Sequence, residues 1–294
     1  MRKKKRKQRK QKVISAMLTI ILMVSICVFI YAGYKLVTIV GEYHKSDTEY
    51  ADLKDKYITV TSSSVGEDSS EIKETENADE SPTKVNPEDV PAPLQVDFDS
   101  LRAINPDIVG WLYIEAIPEI SYPICRGEDN DFYLHHTFEK QYLFAGSIFE
   151  SYENSPDFSD PNTIIYGHNM KNRSMFGRLQ GLKDPEVYET SPYFWILTPD
   201  GNYRYHIFSV KETPYDSDVY TLFTGPGSEL EAWEKKQQES SLHANSVTFE
   251  SGDNAVVLST CTGNDSVRLV VIGKCVSTER PVNRSEDIET ANPD

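Results

Sequence analysis

Short apolar runs, rich in β-branched and aromatic residues, recur from residue 108 onward and are separated by turn-forming residues. Such runs predict β-strands. The turn signal Asp200-Gly201-Asn202 lies between two of them, so we expect residues 193–197 and 203–211 to form a hairpin. The eight predicted strands are residues 108–114, 120–124, 145–149, 163–166, 193–197, 203–211, 255–261 and 267–276.

Helical spacing of apolar residues appears in only three places of this region. Residues 96–105 predict a short helix that Pro106 ends, and residues 174–188 predict a helix broken at Pro185. Residues 226–242 predict a longer, charged helix before the strand 255–261. About eight strands with few helices predict a mainly β fold, a closed or nearly closed barrel.

The N-terminal 40 residues have a different pattern. Residues 1–12 contain nine Lys or Arg and no acid, and residues 13–34 are uncharged and mostly apolar. About 20 apolar residues cross the hydrocarbon core of a bilayer. The run is long for a signal peptide, and the basic residues favour the cytoplasmic side. We expect a basic cytoplasmic head (1–12) and an uncleaved signal-anchor in membrane lipid (13–40); a short basic arm joined to such a span argues against nucleic-acid binding.

Composition separates the remainder into a stalk, a domain and a tail. Beyond Lys12 the chain has 21 basic against 46 acidic residues, a net charge of −25. Residues 41–93 are rich in Glu, Asp, Ser, Thr and Pro, and bury too little apolar surface to offset the cost of ordering. We expect a flexible acidic stalk there, with a short helix at residues 47–57, a globular domain over 94–278 and a polar tail over 279–294.

Cysteine usage argues against a disulfide-stapled or metal-binding domain. Three of the four cysteines, Cys125, Cys261 and Cys275, lie outside the apolar span, and an odd number cannot all pair internally. No CxxC pair or regular histidine spacing predicts a metal site, and no glycine-rich loop before a helix predicts a nucleotide site. We expect no metal and no cofactor. Cys125 and Cys275 fit structural roles, and a disulfide between them stays open.

Three residues at strand ends have the chemistry of nucleophilic catalysis. Cys261 ends the run Val256-Val257-Leu258-Ser259-Thr260, His168 follows a buried-type strand and Gly167, and Arg268 begins the last strand. A thiol nucleophile needs a proton carrier and a group that holds the oxyanion, and His and Arg serve these roles. Taken singly, each residue is more often structural: a buried thiol, a turn histidine or a solvated arginine.

The ordered set of motifs resembles that of class B sortases, which are membrane-anchored cysteine transpeptidases of Gram-positive bacteria. Sortases have a TLxTC-type motif at the nucleophile, which here is Val257-Leu258-Ser259-Thr260-Cys261, with Val in place of the first Thr. Their histidine and arginine motifs match Tyr166-Gly167-His168-Asn169-Met170 and Arg268. Class B features are Asn105-Pro106-Asp107-Ile108-Val109-Gly110-Trp111, Tyr122-Pro123-Ile124, Asp129-Asn130, Tyr133-Leu134, Met175-Phe176 and the long helix before the cysteine strand.

This resemblance implies an eight-stranded sortase-type β-barrel and a reaction. Cys261 would attack a Thr carbonyl within the C-terminal sorting signal of a surface protein or pilin, His168 would protonate the leaving amine, and Arg268 would hold substrate or oxyanion. An amine of a cell-wall precursor or a pilin lysine would resolve the thioester, and Ser259 and Thr260 would contact the substrate. The resemblance also implies an extracellular catalytic domain of enzyme class EC 3.4.22. A purely hydrolytic cysteine peptidase and a non-enzymatic surface-displayed binding domain are the alternatives.

Overall fold

The computed structural model of the protein describes residues 2–61 and 90–279. By its internal contacts the chain divides into two compact units, Met1–Asp47 and Thr48–Asp294. The tail predicted after residue 279 lies outside the described residues, as does most of the predicted stalk, residues 62–89.

The first element is a single long helix, α1 (Arg2–Tyr57). From Ile14 onward it is long and apolar enough to cross a membrane. Its large apolar side chains between Ile14 and Val40 are exposed, as a lipid-facing helix requires, and Phe29 is 83 % exposed. These properties fit the predicted signal-anchor.

The predicted flexible stalk needs a correction at its beginning. Helix α1 continues to Tyr57, and strand β1 (Ile58–Val60) follows at once and pairs antiparallel with β2 (Leu94–Val96). Tyr50 and Leu53, three residues apart, are buried, and the Tyr50 hydroxyl donates to the Gly146 carbonyl at 2.8 Å. Residues 48–61 are therefore part of the folded unit, because the apolar face of this helix packs against it. The predicted domain start at residue 94 is too late.

Eight further strands form a closed barrel: β3 (Ile108–Ile114), β4 (Ser121–Cys125), β5 (Ile148–Glu150), β6 (Asn162–Tyr166), β7 (Tyr193–Leu197), β8 (Asn202–Pro214), β9 (Ala255–Cys261) and β10 (Val267–Glu279). Their order around the barrel is β10-β8-β7-β3-β4-β5-β6-β9. The predicted mainly β barrel is thus confirmed, and each predicted strand is present with ends shifted by three residues or fewer. The hairpin β7–β8 is confirmed, with Tyr193 paired to His206.

Three α-helices and two 3-10 helices join the strands. Helix α2 (Phe98–Ile104) is capped by Asp97, whose carboxylate accepts from the Ser100 amide. The predicted broken helix is a 3-10 helix, Phe176–Lys183, followed by α3 (Pro185–Thr190). The helix is interrupted here because proline is tolerated only in the first turn of a helix, and Pro185 begins α3. A second 3-10 helix, Asp218–Tyr220, precedes α4 (Ser228–Glu239).

Helix α4 covers the outer face of the sheet around β9. Leu230 and Trp233 from α4 form a buried cluster with Val257 of β9 and with Val270 and Ile272 of β10. Side chains alternate between the two faces of a strand. Ser259 and Cys261 therefore follow Val257 on this same outer face, beyond the end of the cluster.

Candidate active site

Cys261 and Arg268 are direct neighbours across the antiparallel ladder of β9 and β10. Their Cα atoms are partners in the register, so both side chains leave the same face of the sheet. Both residues are partly exposed. The Arg268 guanidinium Nη1 donates to the Asp265 carbonyl at 2.7 Å, and its Cζ lies 6.0 Å from the centre of the Tyr215 ring. A cation and a thiol thus share one rim of the barrel.

His168 reaches this rim from the other side of β9. Strand β6 runs parallel to β9 with Tyr166 opposite Ser259, and the Gly167 amide donates to the Ser259 carbonyl at 3.2 Å. His168 is two residues beyond Tyr166, and Cys261 is two beyond Ser259. Because parallel strands advance together, His168 and Cys261 lie at the same level of the sheet.

The hydrogen bond of His168 assigns the roles of its ring nitrogens. Nε2 lies 2.8 Å from the Leu134 carbonyl oxygen, which accepts only, so Nε2 carries the proton of the neutral ring. The Phe144 ring stacks on the imidazole with centroids 5.4 Å apart. Burial lowers the pKa of His168, and the bond to Leu134 opposes that shift. The neutral ring is therefore favoured at pH 7, with Nδ1 left to accept a proton.

A buried network fixes the carbonyl that orients His168. The hydroxyl of Tyr133, just before Leu134, donates to Asp107 Oδ2 at 2.7 Å and accepts from Asn105 Nδ2 at 2.8 Å. Gly146 packs against the same turn with φ +57°, and an added Cβ would lie 2.5 Å from the Leu134 oxygen. Only glycine fits there, and the Leu134 carbonyl is held in one place.

The two predicted substrate contacts lie on opposite faces of β9. Ser259 shares the face of Cys261, and its hydroxyl lies 2.8 Å from that of Tyr220. Thr260 points to the opposite face, and its hydroxyl has no hydrogen-bond partner within residues 2–61 and 90–279. Both residues are 2 % exposed, so the face of the strand separates them and the exposure does not. The structure brings Ser259, and not Thr260, to the side of the thiol.

Two tyrosines that sequence reasoning did not single out complete the wall beside Cys261. The rings of Tyr166 and Tyr220 stack with centroids 6.4 Å apart. Burial raises the pKa of Tyr166 to about 12 and also raises that of Tyr220, while the charge of Arg268 opposes both shifts. Both phenols stay protonated at neutral pH as hydrogen-bond donors. In the sequence, Tyr166 appears only as the first residue of the histidine motif, and Tyr220 has no signal beyond a chain rich in tyrosine, with 17 in all.

The other cysteines have no comparable surroundings. All four are free thiols, so the disulfide left open between Cys125 and Cys275 is absent. Burial raises the pKa of Cys125 and, to a smaller extent, that of Cys275, which disfavours the thiolate in both. Across the described parts of the chain, no group of three or more His, Cys, Asp or Glu side chains could hold a metal ion.

Residues 112–276 match the sortase domain family over a range that contains His168, Cys261 and Arg268. The chain belongs to the sortase family. Its curated relatives include the sortase B of Listeria monocytogenes, 32 % identical over 87 % of this chain and 95 % of the relative. The sortase B of Staphylococcus aureus is 27 % identical over 88 % of this chain and 96 % of the relative.

Solved structures place the barrel in the same class. The structure of Bacillus anthracis sortase B in complex with AAEK1 is 30 % identical, with a TM-score of 0.63 over 81 % of this chain and all of the other. The resemblance to class B sortases seen in the sequence motifs is confirmed. This sortase is a cysteine transpeptidase of the cell wall. Its apolar N-terminal helix is long enough to cross a membrane, which is consistent with a membrane-anchored sortase.

Proposed function

We propose that this sortase cleaves C-terminal sorting signals of surface proteins or pilins through a thioester on Cys261. The Cys261 sulfur attacks a Thr carbonyl carbon, the carbon–sulfur bond forms and the peptide C–N bond breaks. His168 gives its proton to the leaving amine. The observation that carries the proposal is the direct pairing of Cys261 with Arg268, with His168 at the same level of the sheet.

Arg268 has the position of the group that holds the oxyanion or the substrate carbonyl. Its side chain leaves the same face as Cys261, directly opposite the thiol. A guanidinium stays charged at every working pH and presents several N–H donors. We propose that Ser259 and Tyr220, which extend this wall on the face of Cys261, contact the substrate. Ser259 is only 2 % exposed, so Tyr220 offers the larger accessible surface, and Thr260 faces the opposite side of β9.

The reactive state that we propose, a Cys261 thiolate beside a His168 imidazolium, is present in only a minor fraction of molecules. Because burial lowers the pKa of His168, most molecules have a neutral imidazole at pH 7. The fraction with a thiolate and an imidazolium starts the reaction. After acylation, His168 Nδ1 takes a proton from the incoming amine, the new amide bond forms, and the carbon–sulfur bond breaks with loss of the Cys261 thiolate. His168 then returns that proton to the thiolate.

We propose that the acceptor is an amine of a cell-wall precursor or of a pilin lysine, and that the enzyme belongs to class EC 3.4.22. The basic residues 1–12 favour a cytoplasmic N-terminus, a single membrane pass and an extracellular catalytic domain. Substrates held at the same membrane would meet the tethered enzyme at a high effective concentration.

Turnover of a panel of sorting-signal peptides, with NPxTN-like and (S/P)PxTG-like motifs, tests this proposal. We expect Cys261→Ala to abolish cleavage, and His168→Ala and Arg268→Ala each to reduce it strongly. Cys275→Ala, which removes a partly buried thiol elsewhere, is the matched control and should cleave like wild type. Undiminished cleavage by Cys261→Ala would contradict the nucleophile assignment.

The same assay separates a transpeptidase from a peptidase that only hydrolyses. The peptides are incubated with and without an added amine, such as a diamino-acid peptide. A transpeptidase diverts product from the free acid to the amide as the amine concentration rises. Free acid alone at every amine concentration would favour the hydrolytic alternative.

A further inference from the structure

A hairpin loop, residues 133–147, contacts the imidazole of His168 on two sides. The Leu134 carbonyl oxygen lies 2.8 Å from Nε2, and the Phe144 ring stacks on the imidazole with centroids 5.4 Å apart. An antiparallel backbone bridge joins the two arms of the loop. Because one loop makes both contacts, its position determines where the imidazole lies.

Gly146 is the point at which this hairpin loop packs on the carbonyl that holds the histidine. An added Cβ there would lie 2.5 Å from the Leu134 oxygen and 2.6 Å from the Tyr133 oxygen. The Ser147 amide also donates to the Tyr133 carbonyl, at 2.9 Å. A shift of Gly146 therefore moves the Leu134 carbonyl, and with it the hydrogen bond to His168.

Helix α1 holds the hairpin loop at both its base and its tip. At the base, the Tyr50 hydroxyl donates to the Gly146 carbonyl at 2.8 Å and lies 3.1 Å from the Ser147 hydroxyl. Burial raises the pKa of Tyr50, so the phenol keeps its proton and stays a donor. At the tip, a Glu49 carboxylate oxygen accepts from the Glu139 amide at 3.1 Å. Two consecutive helix residues thus fix the loop.

Tyr50 also contacts the side of the site that follows His168 in the chain. Its ring meets that of Tyr122 edge-on, with centroids 5.4 Å apart. The Tyr122 hydroxyl accepts from the Met175 amide at 3.1 Å, and the next amide, of Phe176, donates to the His168 carbonyl at 3.0 Å. The hydroxyl of Tyr50 therefore serves the hairpin loop, while its ring serves the segment after the histidine.

We propose that Tyr50 is a positioning residue, whose hydroxyl fixes the hairpin loop and so holds the His168 imidazole in place for proton transfer. Proton transfer depends on geometry, and a misplacement of about 1 Å can slow an enzyme about 100-fold. This role rests on the proposed function, in which His168 gives a proton to the leaving amine. If the hydroxyl only anchored α1, as the buried Leu53 does, its loss would leave His168 unmoved.

The first test measures the surroundings of His168 without any turnover. The full chain in phosphatidylcholine nanodiscs, labelled with 13C at the histidine Cε1 atoms, has six such resonances, and His168→Ala identifies the one from His168. Tyr50→Phe removes one oxygen and keeps the ring. We expect it to move the His168 resonance by more than the linewidth, because the Phe144 ring that stacks on the imidazole moves with the hairpin loop.

The matched control is Tyr188→Phe. The Tyr188 hydroxyl also donates to a backbone carbonyl, that of Ile207, at 2.9 Å, and its ring stacks on His243 with centroids 4.3 Å apart. This variant loses the same kind of hydrogen bond beside a different histidine. It should move the His243 resonance and leave that of His168 in place.

The second test measures the proton transfer itself. Acylation of Cys261 is followed in a single turnover with a cleaved sorting-signal peptide, and with the p-nitrophenyl ester of the same sequence ended at its Thr, whose leaving group needs no proton. We expect Tyr50→Phe to slow acylation by the peptide about 5–20-fold and by the ester less than about twofold. His168→Ala should show the same contrast more strongly, and Tyr188→Phe should acylate like wild type with both substrates.

Three results would overturn the inference: an unmoved His168 resonance in Tyr50→Phe, an equal shift of that resonance in Tyr188→Phe, or equal slowing of peptide and ester in Tyr50→Phe. The last of these would indicate general damage to the fold. Failure of the proposed function has a different signature, because His168→Ala would then acylate with the peptide as fast as wild type. The resonance of His168 in Tyr50→Phe would still decide whether Tyr50 positions the ring.

Discussion

Gly167 connects the core of the barrel to His168, and Gly167→Ala should damage both. A Cβ at this position would lie 2.5 Å from Ile148 Cδ1 and 2.8 Å from Phe176 Cδ2. Ile148 and Phe176 are each 0 % exposed, so neither side chain has solvent to move into. The added methyl group must shift packed side chains or the backbone that leads into the histidine.

The magnitude follows from the cost of overpacking a core, about 1–3 kcal/mol. In a domain of about 150–250 residues, each kcal/mol lowers the melting temperature by roughly 2–4 °C. We therefore expect Gly167→Ala to melt roughly 2–12 °C below wild type. Peptide cleavage at 25 °C, far below melting, should also fall, because the displaced residue is adjacent to His168.

Thermal unfolding followed by tryptophan fluorescence measures the effect, since Trp111 and Trp195 are fully buried in the barrel. Gly225→Ala is the control: a Cβ there would have no atom within 4 Å, and its melting temperature should change by less than about 2 °C. Ile148→Val removes the closest methyl group and should partly restore Gly167→Ala. Wild-type melting and cleavage by Gly167→Ala would refute the argument.

Three further predictions concern charge and substrate contact. Burial raises the pKa of Glu150 to about 8, so above about pH 5 the folded state holds a proton that the unfolded state has lost. Stability should therefore fall as pH rises toward 8, and Glu150→Gln should flatten that decline in thermal melts. Burial alone would raise the pKa of Glu115, but hydrogen bonds from Arg204 and others lower it, so the stabilisation by Glu115 should be present at neutral pH and be lost as pH falls through that lowered pKa. Glu115→Ala should therefore lower the free energy of unfolding in urea at pH 7 by about 3 kcal/mol, and a loss below about 1 kcal/mol would contradict a structural ion pair with Arg204. Ser259→Ala should raise the peptide KM about 2–10-fold with kcat nearly unchanged, whereas Thr260→Ser should leave KM unchanged. A raised KM in Thr260→Ser with an unchanged KM in Ser259→Ala would contradict the assigned faces of β9.

The strands were predictable because their patterns are local. The runs that became β3, β7 and β9 match their predicted ends residue for residue, since turn residues bound each of them. The pairing of β1 with β2 was not predictable in this way. Each has only three residues, and what stabilises them is contact between segments more than 30 residues apart in the chain.

The sequence offers candidates for the reacting groups but not for the groups that support them. Strand-end position and side-chain chemistry make Cys261, His168 and Arg268 candidates from the sequence alone. The Leu134 carbonyl reaches the site from a distant loop and the Tyr220 hydroxyl from a distant 3-10 helix, and no local pattern identifies them. Strand alternation alone would have separated Ser259 from Thr260.

The most direct test of the central claim is to trap the covalent intermediate on a named cysteine. Wild type, Cys261→Ala and Cys275→Ala are mixed with a sorting-signal peptide that the panel shows to be cleaved, quenched in acid and analysed by intact-protein and peptide mass spectrometry. We expect an acyl adduct on Cys261, sensitive to hydroxylamine, in wild type and in Cys275→Ala, and no adduct in Cys261→Ala. An adduct on Cys125 or Cys275, or cleavage by Cys261→Ala, would contradict it.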